Sequence, residues 1–161
     1  MLRGKKRKAH LTRSDRIELA CSEFTPIETL IKLSQDKSLQ VRMAVALNPN
    51  TPEDVLRKLA KSKEFGIFVW KAVAENPNTP VDVLILLAQN EDWRVREEVA
   101  WNKNTPAEVL KKLANDTSWG VRHTVTMNPN TPEDVLRMLA KEDECWQVCK
   151  MAIDVLVRRG K

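Results

Sequence analysis

The dipeptide Thr-Pro occurs five times in 161 residues, at Thr25-Pro26, Thr51-Pro52, Thr79-Pro80, Thr105-Pro106 and Thr131-Pro132. Successive copies lie 26, 28, 26 and 26 residues apart. A fixed period of this length calls for a stack of similar units, because one short unit cannot bury a core alone and gains one only from its neighbours.

Each unit reads as two helices and two turns. Thr is placed to cap the first helix, with Pro at the first helical position, where a missing N–H costs nothing. Three residues after each Thr stands an acid (Glu28, Asp54, Asp82, Glu108, Asp134), which resembles capping-box spacing and suits the helix dipole. Apolar residues follow at adjacent and four-apart positions, as in Val55, Leu56, Leu59 and Ala60, so the helix carries one buried stripe. A second segment carries a Val pair four apart: Val41/Val45, Val69/Val73, Val95/Val99 and Val121/Val125. It ends at Asn48, Asn76, Asn102 or Asn128; Asn tolerates the left-handed conformation that closes a helix.

The pattern Asn-Pro-x-Thr-Pro-x-x-x-Leu-x-x-Leu-Ala, followed by Val-Arg-x-x-Val-Ala, resembles the leucine-rich repeat variant family over residues 15–157. The resemblance implies an all-α fold: a right-handed α-solenoid of about five units of 26–28 residues, each an α-helix plus a second short α or 3₁₀ helix. Members of that family can carry a cysteine-rich iron–sulfur segment. Such a segment is lacking here, and that role is not carried over.

Four glycines and no alternating apolar runs argue against a β fold. No apolar run approaches the ~20 residues of a membrane span. The N-terminal residues lack the apolar segment of a secretory signal, and three cysteines (Cys21, Cys145, Cys149) make no disulfide framework, so the expected location is cytoplasmic. The net charge of +5 is unevenly placed: residues 1–16 hold seven basic residues and one acid, and the remainder holds 20 basic and 21 acidic residues. Residues 1–14 are expected to be a flexible basic tail and 15–161 a single repeat domain. Within it stand a half repeat over 15–24, units starting at 25, 51, 79, 105 and 131, and a C-terminal cap helix at about 147–159. The unit starting at Thr51 is two residues longer, and its surplus falls in 63–68, read as an apolar loop with a hinge at Gly66.

Arg42, Arg96 and Arg122 recur after the first Val, with Arg16 matching them and Trp70 and Cys149 in their place elsewhere. A regular arginine row suits phosphates or, equally, the acids Asp36, Asp116 and Glu142, which recur eleven residues after each Thr. Trp93, Trp119 and Trp146 lie two residues before a core position, in a place held elsewhere by Leu39 and Ile67, and are read as core. Trp70 and Trp101 fall outside that pattern. In the central first helix, positions charged in other units become Ile85 and Leu86, with Val81 nearby; a helix apolar all round needs a second burial surface.

Two histidines, no nucleophile motif and no glycine-rich phosphate loop leave no basis for catalysis, a cofactor or a metal site. The function expected is a non-enzymatic scaffold that binds an unknown protein or peptide through Val81, Ile85, Leu86, Trp101, Trp70 and Phe68, with the Ile85/Leu86 face also a homodimer candidate. The alternative is a nucleic-acid binder using Lys5, Lys6, Arg7 and Lys8 for phosphate contact and Arg42, Arg96 and Arg122 for register.

Overall fold

A computed structural model describes residues 11–62 and 66–160. The tail residues Lys5, Lys6, Arg7 and Lys8 lie outside them, as do residues 63–65 of the longer unit. Eleven helices and no strand are found among the described residues: α1 (Arg13–Cys21), α2 (Ile27–Leu33), α3 (Leu39–Leu47), α4 (Glu53–Lys61), α5 (Gly66–Glu75), α6 (Val81–Leu87), α7 (Trp93–Trp101), α8 (Ala107–Leu113), α9 (Trp119–Met127), α10 (Glu133–Glu142) and α11 (Trp146–Arg159).

The even-numbered helices are the first helices of the units, and α3, α5, α7, α9 and α11 the second. α1 is the second helix of a half repeat. It begins at Arg13 with a capping box between Thr12 and Asp15, so the helix includes the last two residues of the stretch read as tail. The second helices are full α-helices of nine or more residues, with no separate 3₁₀ helix assigned among the described residues. The reason is the Val pair, which needs the α period to put residues four apart on one line. Shorter-range hydrogen bonds stand at helix ends and turns: Asp36 N–H donates to Leu33 O at 3.0 Å after a first helix, and Asn48 N–H to Val45 O at 3.1 Å after a second.

The second helices pack side by side along the stack, and the first helices cover one side of that layer, against the second helix of their own unit and, for α2, α6 and α8, also that of the unit before. Between the layers lies one continuous core. The Val pairs and the first-helix stripe, such as Val55, Leu56 and Leu59, are buried in it. Part of the segment read as a loop belongs to a helix: Gly66 opens α5 at a φ of 68°, a region that disfavours side chains, and Ile67 and Phe68 form the first turn.

The repeated Asn and Thr do work that differs from capping. No non-glycine residue among those described has positive φ, and Asn48 closes α3 in extended geometry at φ −66°. Its side chain instead reaches the previous unit, Nδ2 donating to Ala20 O at 2.7 Å and Ser22 O at 2.9 Å. Asn76 does the same to Ala46 O and Asn48 O, Asn102 to Ala74 O and Asn76 O, and Asn128 to Ala100 O and Asn102 O. Each Oδ1 accepts from the N–H two residues on, as from Asn104 to Asn102 at 2.9 Å. A buried carboxamide can satisfy donors and an acceptor at once, which neither Ala nor Asp at this place can do.

The threonines face backward too. Thr51 Oγ1 donates to Val45 O at 2.5 Å, and Thr79, Thr105 and Thr131 repeat the bond to Val73, Val99 and Val125. Pro, not Thr, then occupies the cap position of the first helix. The hydroxyl supplies a partner for one of the last carbonyls of the second helix, which have none inside it. At the far end, Arg159 donates to Thr131 O at 2.6 Å and to Asn128 O at 3.1 Å, the latter equivalent to a carbonyl that the asparagines take between units.

Candidate interaction surface

On a second helix counted from Leu39, Ile67, Trp93, Trp119 or Trp146, positions three and seven enter the core. Positions one, five and nine lie roughly 200° away, because each residue advances about 100°. They therefore share the side of the layer that the first helices leave open. Position one runs Leu39, Ile67, Trp93, Trp119, Trp146; position five runs Met43, Lys71, Glu97, His123, Lys150; position nine runs Leu47, Glu75, Trp101, Met127, Asp154.

The tryptophans read as core stand on this open side instead: Trp93 is 45% exposed, Trp119 54% and Trp146 66%. Leu39 and Ile67 are only half-buried, so aliphatic residues at this position did not signify burial. The signal that could have found the row was the angular offset from the Val pair. Local contacts steady the rings. His123 meets Trp119 edge-on at 6.3 Å between ring centroids, Trp93 lies close to Gly120, and Lys150 Nζ sits 6.0 Å from the Trp146 ring. Trp101, 55% exposed, stands on the same side with Leu47 and Met127.

The other residues singled out in the sequence fall elsewhere. Val81 and Ile85, four apart, are exposed on the first-helix side of the array; Leu86 is exposed and borders a hollow shared with Trp70 and Ile67. Phe68 is exposed at the start of α5. Trp70 is partly buried, and its Nε1 has no hydrogen-bond partner among the described residues. The six residues thus occupy at least two faces rather than one patch.

The arginine row joins neighbouring units. Arg16 Nε contacts Asp36 at 2.7 Å, Arg96 grips Asp116 at 2.6 and 2.8 Å, and Arg122 grips Asp143 at 2.7 and 3.0 Å. The last acid is Asp143 rather than Glu142, because α10 runs on to Glu142 and shifts the acid by one residue. Each arginine also donates to a carbonyl six residues back in the chain or close to it, as Arg42 does to Asp36 O at 2.5 Å and Arg96 to Asn90 O at 2.8 Å. Burial opposes ionisation of Asp116 and Asp143, but hydrogen bonds from Arg96 and Arg122, and from backbone N–H groups, outweigh it and hold both below the usual Asp pKa. The guanidinium groups of Arg96 and Arg122 are thus engaged within the array.

The cysteines are free thiols, and no cluster of metal-ligating side chains exists among the described residues. None of the described helices is long and apolar enough to cross a membrane.

Comparison with known proteins points the same way as the geometry. A family model described as leucine rich repeat variant matches residues 39–62, which comprise α3 and α4. A solved structure described as a leucine-rich repeat variant with a novel repetitive protein structural motif is similar at 25% identity and a TM-score of 0.67, over 89% of this chain and 56% of that one. This chain therefore spans little more than half the length of that protein. No curated protein matches it. Sequence and fold point to one likeness: residues 39–62 match the leucine-rich repeat variant model, and the helical array is similar to a solved protein of that description.

Proposed function

We propose that the array is a non-enzymatic scaffold that holds a protein or peptide on its open surfaces. The observation that carries this reading is the row of Trp93, Trp119 and Trp146, three large rings exposed at one register in consecutive units. Exposing such rings forfeits burial worth roughly 1.5–3 kcal/mol each, a cost that a binding surface recovers on association. Tryptophan is also enriched among the residues that dominate interface energetics. Val81, Ile85 and Leu86 offer a second apolar surface on the other side.

Selection from an unbiased displayed-peptide library against the full chain tests the reading. Binders should lose affinity in Trp101→Ser or Trp119→Ala if the open face is used, or in the Ile85→Lys/Leu86→Lys double variant if the other is, with unchanged circular dichroism. A scaffold role is refuted if every binder is indifferent to all three variants. Light scattering on the double variant addresses self-association: a parent dimer that becomes monomeric would assign that face to a second copy of the chain.

A further inference from the structure

The open face of the second-helix layer carries information about what fits it, on the premise that the array is a scaffold. Packed helices lie ~8–10 Å apart, so one ring per unit at a common register gives platforms at about that interval. A polyproline II helix advances 3.1 Å per residue with three residues per turn, about 9.3 Å per turn. A β-strand presents same-side residues every ~6.6 Å and an α-helix every 5.4 Å, and neither matches. Polyproline II also leaves its carbonyls without internal partners, and each indole supplies one N–H donor.

The charges select further. Lys71 is paired with Glu98 at 3.1 Å and Arg94 with Asp92 at 2.8 Å. Glu75, Glu97 and Asp154 make no ion pair among the described residues, and against them stands Lys150, drawn over Trp146. Glu97 lies one turn from both Trp93 and Trp101 on α7, so a carboxylate sits between two exposed rings. That arrangement suits a guanidinium or ammonium group and repels phosphate.

We propose that this face binds a proline-rich segment bearing a basic residue, held as a polyproline II helix that crosses α7, α9 and α11. Successive turns rest on Trp93, Trp119 and Trp146, and the cation meets Glu97.

The test titrates four fluorescein-labelled probes into the full chain near physiological salt: decaproline flanked by arginine, plain decaproline, a Gly-Ser peptide with the same arginines, and a deoxythymidine oligonucleotide. Arginine-flanked decaproline should bind most tightly. Trp119→Ala should weaken it about ten-fold, and Trp119→Phe, which keeps a platform, should restore most of the loss. Glu97→Gln should weaken the flanked peptide about three-fold and leave plain decaproline unchanged. Trp119 is exposed, so its removal spares the core; matched thermal melts verify this. The proposal is overturned if the Gly-Ser peptide binds equally well, if Trp119→Ala changes nothing, if the oligonucleotide binds more tightly through the same rings, or if neither proline probe saturates below millimolar concentration. When the proline probes fail but a library-selected peptide still depends on Trp119, only the polyproline assignment falls. When no selected peptide depends on Trp119, the use of this face as a scaffold surface falls as well.

Discussion

Along the edge where the second helices end, the unit junctions look alike from Asn48 to Asn128: one buried carboxamide reaches back to two carbonyls of the previous unit. Along the opposite edge, where the second helices begin, the junctions differ. Arg96–Asp116 and Arg122–Asp143 form close bidentate pairs, but Trp70 stands where the intervening unit would carry its arginine and Asn90 where the next would carry the acid. The two surplus residues of the longer unit fall between α4 and α5 in the sequence. The difference teaches which bonds set the spacing of the stack. The asparagine rungs run through the irregular unit unaltered, with Asn102 reaching Ala74 O at 2.6 Å, whereas the ionic rungs are dispensable one at a time.

Removing an asparagine rung should have the largest effect. Asn102→Ala leaves two buried carbonyls and one N–H without their partner and should cost about 3 kcal/mol in urea unfolding. A cost below 1 kcal/mol would mean that the rungs follow the stacking rather than fix it. Arg122→Leu should cost about 2 kcal/mol by stranding Asp143, and adding Asp143→Asn should recover part of that loss. Rebuilding the missing rung with Trp70→Arg and Asn90→Asp should give a favourable coupling of about 1 kcal/mol beyond the two single variants; zero coupling would show that the irregular unit holds these positions out of reach.

Of the two edges, acid should act on the ionic one. Asp116 and Asp143 have folded-state pKa values below their ordinary value, so their pairs stabilise the fold at neutral pH. That contribution should be lost as pH falls from about 4 through the depressed values, and Asp116→Asn should flatten the dependence of melting temperature on pH in that window. The smallest effect should come from the exposed pair Glu133–Arg137: Arg137→Ala should melt within about 1 °C of the parent.

The period of Thr-Pro made the array legible, and the Val pairs and first-helix stripe made its core legible, because each repeats with the spacing of the structure it builds. The role of Asn and Thr was not legible, since both are common caps, and only the fold reveals that their partners lie in the preceding unit or helix. The tryptophan row was misread for a different reason. Occurrence of Leu39 and Ile67 at that position weighed more than its angle, although two residues along a helix turn a side chain from the core to the opposite side. The arginine–acid pairing was legible in outline from recurrence. Its last member moved by one residue with the longer α10.

The asparagine rungs give the molecule something like the spine of a book. Their edge resists stretching, so thermal bending must open and close the other edge, as pages fan about a binding. Trp101 and Met127 lie towards the bound edge and should keep a fixed separation. Trp93, Trp119 and Trp146 lie towards the other edge, where Arg96–Asp116 and Arg122–Asp143 clasp their units, so their separation is held as well, and the flexing falls to the unit where Trp70 and Asn90 leave that clasp out.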